Sequence, residues 1–132
     1  MVAGILVGHG ELPYALYNTV KRIIGEQDNF VVISNERLSA EELKKNILLA
    51  IEKLKPHDII IFTDLLGGSC AIASRQILAQ AKENVGIISG VNVGMLIKYF
   101  QYRSSCNFSA LLTLVADCGK AEIVTLTTDK KC

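Results

Sequence analysis

Asp58-Ile59-Ile60-Ile61-Phe62-Thr63 is an unbroken apolar run rich in β-branched residues, the pattern of a strand buried on both faces in the middle of a sheet. Such a strand needs helices above and below it, and that arrangement comes with parallel strands joined by helical crossovers. The sequence on either side supplies them. Downstream, Asp64-Leu65-Leu66-Gly67-Gly68-Ser69 turns the chain into a helix over about 69–81, and Val85-Gly86-Ile87-Ile88-Ser89 reads as the next strand. Upstream, Ser39-Ala40-Glu41-Glu42 matches a capping box with Ser39 as N-cap and Glu42 reaching back, and the helix it opens runs to about 54, before Pro56.

The pattern continues to both ends. Residues 2–7, Val-Ala-Gly-Ile-Leu-Val, form the first strand. Leu12, Ala15, Leu16, Thr19, Val20 and Ile23 then recur at helical spacing, with Pro13 tolerable in the first turn and Gly25 as the stop. Phe30-Val31-Val32-Ile33-Ser34 is the second strand. Gly90-Val91-Asn92 opens a helix to about 102, and another spans about 108–118, stopped by Gly119. Residues 121–127 alternate apolar and polar, as an edge or antiparallel strand does. With a right-handed crossover at each step, the expected fold is α/β: one domain over 1–132 with an open, mostly parallel, doubly wound sheet. Its order is 2-1-3-4 with an antiparallel strand added at the edge and helices on both faces.

Composition bounds the function. The chain has 132 residues, 50% hydrophobic and 20% charged, enough for one domain with a real core and too few for two. A net charge of +1, with Lys and Arg scattered, points to neither a nucleic-acid partner nor a polybasic membrane patch. Cys70, Cys106, Cys118 and Cys132 fall at irregular intervals without a C-x-x-C pair. That spacing suggests neither a disulfide framework nor a metal site. No apolar run approaches the ~18 residues of a membrane span, and Met1 leads straight into the first strand, so a cytoplasmic domain is expected.

In this strand order the first and third strands are neighbours at the switch point, where open α/β sheets bind ligands. Their carboxyl ends carry His9, within Gly8-His9-Gly10, and Asp64. One imidazole nitrogen can attack an electrophile while the other donates to a carboxylate, which fixes the tautomer and stabilises positive charge on the ring. The same pair can act as a general base. The backbone N–H groups of Gly10, Gly67 and Gly68 and the hydroxyl of Ser69 stand where phosphate oxygens would be held, at a helix N-terminus. Thr63 adds a hydroxyl, and Asn92 heads the next helix beside the same face. G-x-x-x-x-G-K-[ST] does not occur, which argues against a nucleoside triphosphate loop.

Plainer readings exist for each residue. A histidine after a strand can be a structural turn residue, Asp64 and Ser69 can be helix caps, and paired glycines occur in any tight turn. His57 sits before a strand, at the opposite end of the sheet. Cys70 reads as a small buried helix residue, and Met95, Tyr99 and Phe100 as core or interface.

Gly8-His9-Gly10, Thr63-Asp64-Leu65-Leu66-Gly67-Gly68-Ser69 and Ser89-Gly90-Val91-Asn92 through Met95-Leu96, in this order, resemble the enzyme IIA domain of the mannose family of the bacterial sugar phosphotransferase system. The resemblance spans essentially the whole chain. It implies a phosphohistidine carrier without cofactor or metal: His9 accepts a phosphoryl group from the histidine-containing phosphocarrier protein and passes it to a histidine of an enzyme IIB domain. Membrane contact would come only through permease components. Asp64 corresponds to the carboxylate partner of the active histidine, and Ser69 to a hydroxyl near the phosphate. The family forms homodimers in which the last, antiparallel strand contributes to the subunit contact. This chain departs from the family pattern at Gly8 (often Thr), Leu66 (Phe), Cys70 (Pro) and Gly94 (Pro). A regulatory module of the same fold, or one serving a dihydroxyacetone kinase relay, is the alternative; a hydrolase using His9 as base lacks a second catalytic carboxylate or metal cluster.

Overall fold

The computed structural model describes residues 1–65 and 69–129, leaving aside the side chains of Ser69 and Ala71. Strands and helices alternate as β1 (Val2–Gly8), α1 (Leu12–Ile24), β2 (Phe30–Ser34), α2 (Ala40–Leu54), β3 (Asp58–Thr63), α3 (Ser69–Gln80), β4 (Val85–Ser89), α4 (Val93–Tyr102) and α5 (Phe108–Ala121). The four strands are all parallel, in the order β2-β1-β3-β4. β1 and β3 are therefore the two inner strands, paired from Val2↔Asp58 to Val7↔Thr63. All seven residues of β1 are buried, as are the last five of β3.

Successive strand residues face opposite sides of the sheet, so each strand feeds two cores. Ala3, Ile5, Val7, Ile59 and Ile61 pack with Leu43, Ile47 and Ile51 of α2 and with Cys70, Ala73 and Ile77 of α3. Val2, Leu6, Ile60 and Phe62 pack with Val20 of α1, Leu96, Tyr99 and Phe100 of α4, and Leu111 and Val115 of α5. Fully burying an Ile or Phe contributes about 1.5–3 kcal/mol, and Ile59, Ile60, Ile61 and Phe62 are all completely buried. This explains why the sheet is organised around the run that begins at Asp58.

Local signals act as expected at most element ends. Ser39 caps α2 through a reciprocal box with Glu42, at 3.1 Å in both directions. Asn92 caps α4 and Asn107 caps α5, through bonds to Met95 N and Ala110 N. The carboxyl end of α5 departs from expectation. Gly119 does not stop the helix, which continues to Ala121. Its role is steric: it is buried where α5 crosses α4, and a Cβ there would overlap the Met95 methyl.

The antiparallel edge strand expected over 121–127 is likewise not formed. Ala121 still belongs to α5, Glu122 N–H closes that helix onto the Gly119 carbonyl, and residues 123–127 form no strand. Alternating residues become a strand only beside another strand, and among the described residues this segment has none. Ile123, Val124 and Leu126 consequently lie exposed.

Candidate functional site

The parallel register brings the carboxyl ends of β1 and β3 side by side, so the residues just past them, His9 and Asp64, meet. His9 backbone N–H donates to Asp64 Oδ2 at 2.9 Å, and Leu65 N–H donates to Asp64 Oδ1 at 2.8 Å. The carboxylate is thus held at both oxygens by the main chain. His9 Nδ1 lies 3.0 Å from each of these oxygens. An ionised carboxylate only accepts, so in the neutral ring the proton sits on Nδ1 and the lone pair on Nε2. The His9 side chain is 38% exposed and that of Asp64 is 10% exposed, so the carboxylate lies behind the ring and the ring stands towards solvent. Burial alone would raise the Asp64 carboxyl. The bonds from the His9 N–H, the His9 ring and the Leu65 N–H, with the ring's charge, outweigh it and hold Asp64 below the usual carboxylate range.

The turn after β1 is pinned to the end of β2. Ser34 Oγ donates to the Gly10 carbonyl at 2.6 Å, Asn35 N–H donates to the Gly8 carbonyl at 2.9 Å, and Leu12 N–H returns to the His9 carbonyl at 3.2 Å. Gly10 takes φ +59°, the left-handed region that glycine enters without a Cβ penalty. Its N–H, expected to meet a phosphate, faces Asn35 Oδ1 at 3.4 Å. Ser34 and Asn35 were not singled out from the sequence; their signal is only that they end the strand adjacent to β1.

Other expected residues divide cleanly. Gly67, Gly68 and the Ser69 side chain lie outside the described residues. Thr63 is fully buried, and its hydroxyl finds no partner among the described residues. Asn92 is committed to structure: Oδ1 accepts from Met95 N–H and Nδ2 donates to the Gly119 carbonyl. Cys70 is buried as expected, yet its Sγ reaches within 3.9 Å of His9 Nδ1. The first turn of α3, positive end of the helix dipole, therefore stands beside the ring. A separate cavity of about 730 Å³ runs along the outer edge of β2, lined in part by Tyr14, Val31, Arg37, Leu49 and Lys53. It includes neither His9 nor Asp64, so the pair lies outside that cavity.

An open parallel sheet in the order 2-1-3-4, with an outward histidine backed by a carboxylate at the switch point, defines a flavodoxin-like α/β domain. The chain belongs to the EIIA-man family: the family model described as "PTS system fructose IIA component" matches residues 4–116. Components of this kind relay phosphoryl groups in sugar uptake. The chain is 24% identical to the fructose-specific EIIA component of Bacillus subtilis over 114 residues, covering 85% of this chain and 77% of that protein. It is 29% identical to the sorbose-specific EIIA component of Lacticaseibacillus casei over 110 residues, covering 83% and 79%. The crystal structure of a phosphotransferase system EIIA component from Streptococcus agalactiae shares the fold at a TM-score of 0.89 and 23% identity, covering 95% of this chain and 97% of that one. Among the described residues no helix is long and apolar enough to cross a membrane.

Proposed function

We propose that His9 is the phosphoryl acceptor of this domain. The Nε2 lone pair attacks the phosphorus of a phosphohistidine on the histidine-containing phosphocarrier protein. As the new P–N bond forms, the donor's P–N bond breaks and its electron pair returns to the donor imidazole. A histidine of an enzyme IIB domain takes the group away by the same reaction, in sugar uptake by a permease that this cytoplasmic domain serves. Asp64 holds the proton on Nδ1 throughout and stabilises the positive ring of the phosphorylated form. In this proposal Gly67, Gly68 and Ser69 bind the phosphoryl oxygens, and Gly10 joins them if its N–H leaves Asn35 Oδ1, 3.4 Å away, for a phosphoryl oxygen. The observation that carries this reading is the approach of both Asp64 oxygens to Nδ1 at 3.0 Å, which commits one nitrogen and leaves the other nucleophilic.

Two copies associate as a homodimer, with residues 121–127 of each contributing to the contact. The exposure of Ile123, Val124 and Leu126 supports this. So does β4, an outer strand of the sheet. The acceptor assignment is tested by incubation with phosphoenolpyruvate, enzyme I and the phosphocarrier protein. Acid-labile phosphate is expected on the wild type and none on His9→Ala. Label persisting on His9→Ala would remove His9 from the relay.

A further inference from the structure

Cys70 gives the histidine–carboxylate pair a third donor. His9 Nδ1, an Asp64 carboxylate oxygen and Cys70 Sγ all lie within 4.8 Å of one another. Nδ1 is 3.0 Å from the carboxylate oxygens and 3.9 Å from the sulfur. A tetrahedral zinc ion, with bonds of about 2.0–2.3 Å, sets its nitrogen and oxygen ligands about 3.4 Å apart and its nitrogen and sulfur ligands about 3.6 Å apart. Closing the site around a metal therefore takes shifts of about 0.3–0.4 Å on the two edges that meet at Nδ1, together with a carboxylate-to-sulfur separation, now within 4.8 Å, of about 3.6 Å. We infer that His9, Asp64 and Cys70 form a binding site for a borderline-soft divalent cation such as Zn²⁺, and that filling it blocks the histidine as a phosphoryl acceptor.

The chemistry of the donor set favours such an ion. Thiolate, imidazole and carboxylate are the three ligand types zinc takes, and one thiolate with one carboxylate neutralises the dication where both ligands are largely buried. On binding, the Cys70 thiol gives its proton to solvent. The first turn of α3, to which Cys70 belongs, favours the resulting anion. His9 and Leu65 N–H groups each occupy one lone pair of Asp64, so each oxygen keeps another for the metal. Because the His9 side chain is 38% exposed, rotation of the ring outward would open a way to the three donors, and solvent water would complete the tetrahedron.

The consequence for the ring follows from proton placement. A metal on Nδ1 displaces the proton held there, and the neutral imidazole then carries its proton on Nε2. The lone pair that would attack phosphorus is gone. In the other direction, a phosphoryl group on Nε2 with the proton on Nδ1 leaves no lone pair for the metal, so each state excludes the other. Metal binding stands on the donor set alone; the blockade rests on the relay proposed above.

Cobalt(II) reports the site directly. Titrating the full chain in a thiol-free reductant is expected to give a saturable thiolate-to-cobalt charge-transfer band that Zn²⁺ displaces. The triple variant Cys106→Ser, Cys118→Ser, Cys132→Ser keeps the band. Cys70→Ser loses it, and Kd rises about 100-fold, since even outer-shell partners are worth about 10–100-fold. Absence of the band in wild type, its loss in the triple variant, or its persistence in Cys70→Ser overturns the site. The switch is then read with phosphocarrier protein that was phosphorylated beforehand and freed of enzyme I and Mg²⁺. Zinc-saturated protein is expected to take up no label. Cobalt or zinc that binds without slowing uptake overturns the blockade, whereas a chain that takes up no label without metal overturns the relay and leaves the cobalt result standing.

Discussion

Replacing Asp64 by Asn keeps the shape of the side chain and removes its charge, isolating what the carboxylate does for the ring. Phosphorylation at Nε2 leaves a positive imidazolium facing Asp64, whose oxygens stand 3.0 Å from Nδ1. Two unit charges centred about 4 Å apart interact by about 4 kcal/mol near a protein surface and about 1 kcal/mol in bulk water. Asp64 is shielded while the ring is 38% exposed, which places the loss between these limits, at about 2–3 kcal/mol. If the developing charge is felt fully in the transition state, transfer slows about 30- to 150-fold. The assay is rapid-quench uptake of label from the phosphorylated carrier protein under single-turnover conditions. Its control is the urea midpoint of the same variant. The Asn amide presents only one acceptor oxygen to two backbone donors, so about 1–3 kcal/mol of stability should go as well. An Asp64→Asn protein that is folded and accepts phosphate at the wild-type rate would refute the role given to the carboxylate.

The same carboxyl makes stability depend on acid. Its folded value is depressed, so its contribution is whole above the unfolded value of about 3.9 and is lost as pH falls through the lower folded value. The stability gap between wild type and Asp64→Asn, measured by urea unfolding from about pH 5 downwards, should stay level to about pH 4 and narrow below it; a gap that widens below about pH 4 contradicts the depressed carboxyl. Gly4→Ala should cost about 1–3 kcal/mol, because its Cβ would stand 2.7 Å from both the Phe30 ring and the Tyr99 hydroxyl; an unchanged melting temperature argues against that packing. Ile123→Asp with Leu126→Asp should convert a dimer to a folded monomer in sedimentation, and dimers that survive both charges place the contact elsewhere.

Much of the architecture was legible because local and global signals agree. The run from Ile59 to Phe62 is apolar on both faces, the Ser39 and Glu42 box marks a helix start, and the uninterrupted alternation of strand and helix leaves few topologies. The meeting of His9 with Asp64 followed from strand order alone. What escaped reading depends on contacts distant in sequence. Gly119 has the look of a helix stop, but its function lies in the space taken by Met95. Residues 121–127 carry a strand's alternation, yet alternation does not say which strand stands alongside. Ser34 and Asn35 serve the turn at Gly10 through β2, and the reach of Cys70 to His9 depends on where α3 begins. Neither has a spacing that a linear pattern reveals.

The histidine–carboxylate distance is set by a ladder of main-chain bonds between β1 and β3, running from Val2↔Asp58 to Val7↔Thr63. Those bonds are blind to side-chain identity, so the rungs can exchange one apolar residue for another without moving the pair at the top. A shift of one rung would carry Asp64 about 3.3 Å along the strand and out of reach of the ring. Divergence is therefore cheap in residue identity and expensive in residue count: the two strands tolerate substitution but not insertion or deletion. Chains sharing only 24% of their residues with this one can inherit the same interatomic distance through alignment of backbone alone.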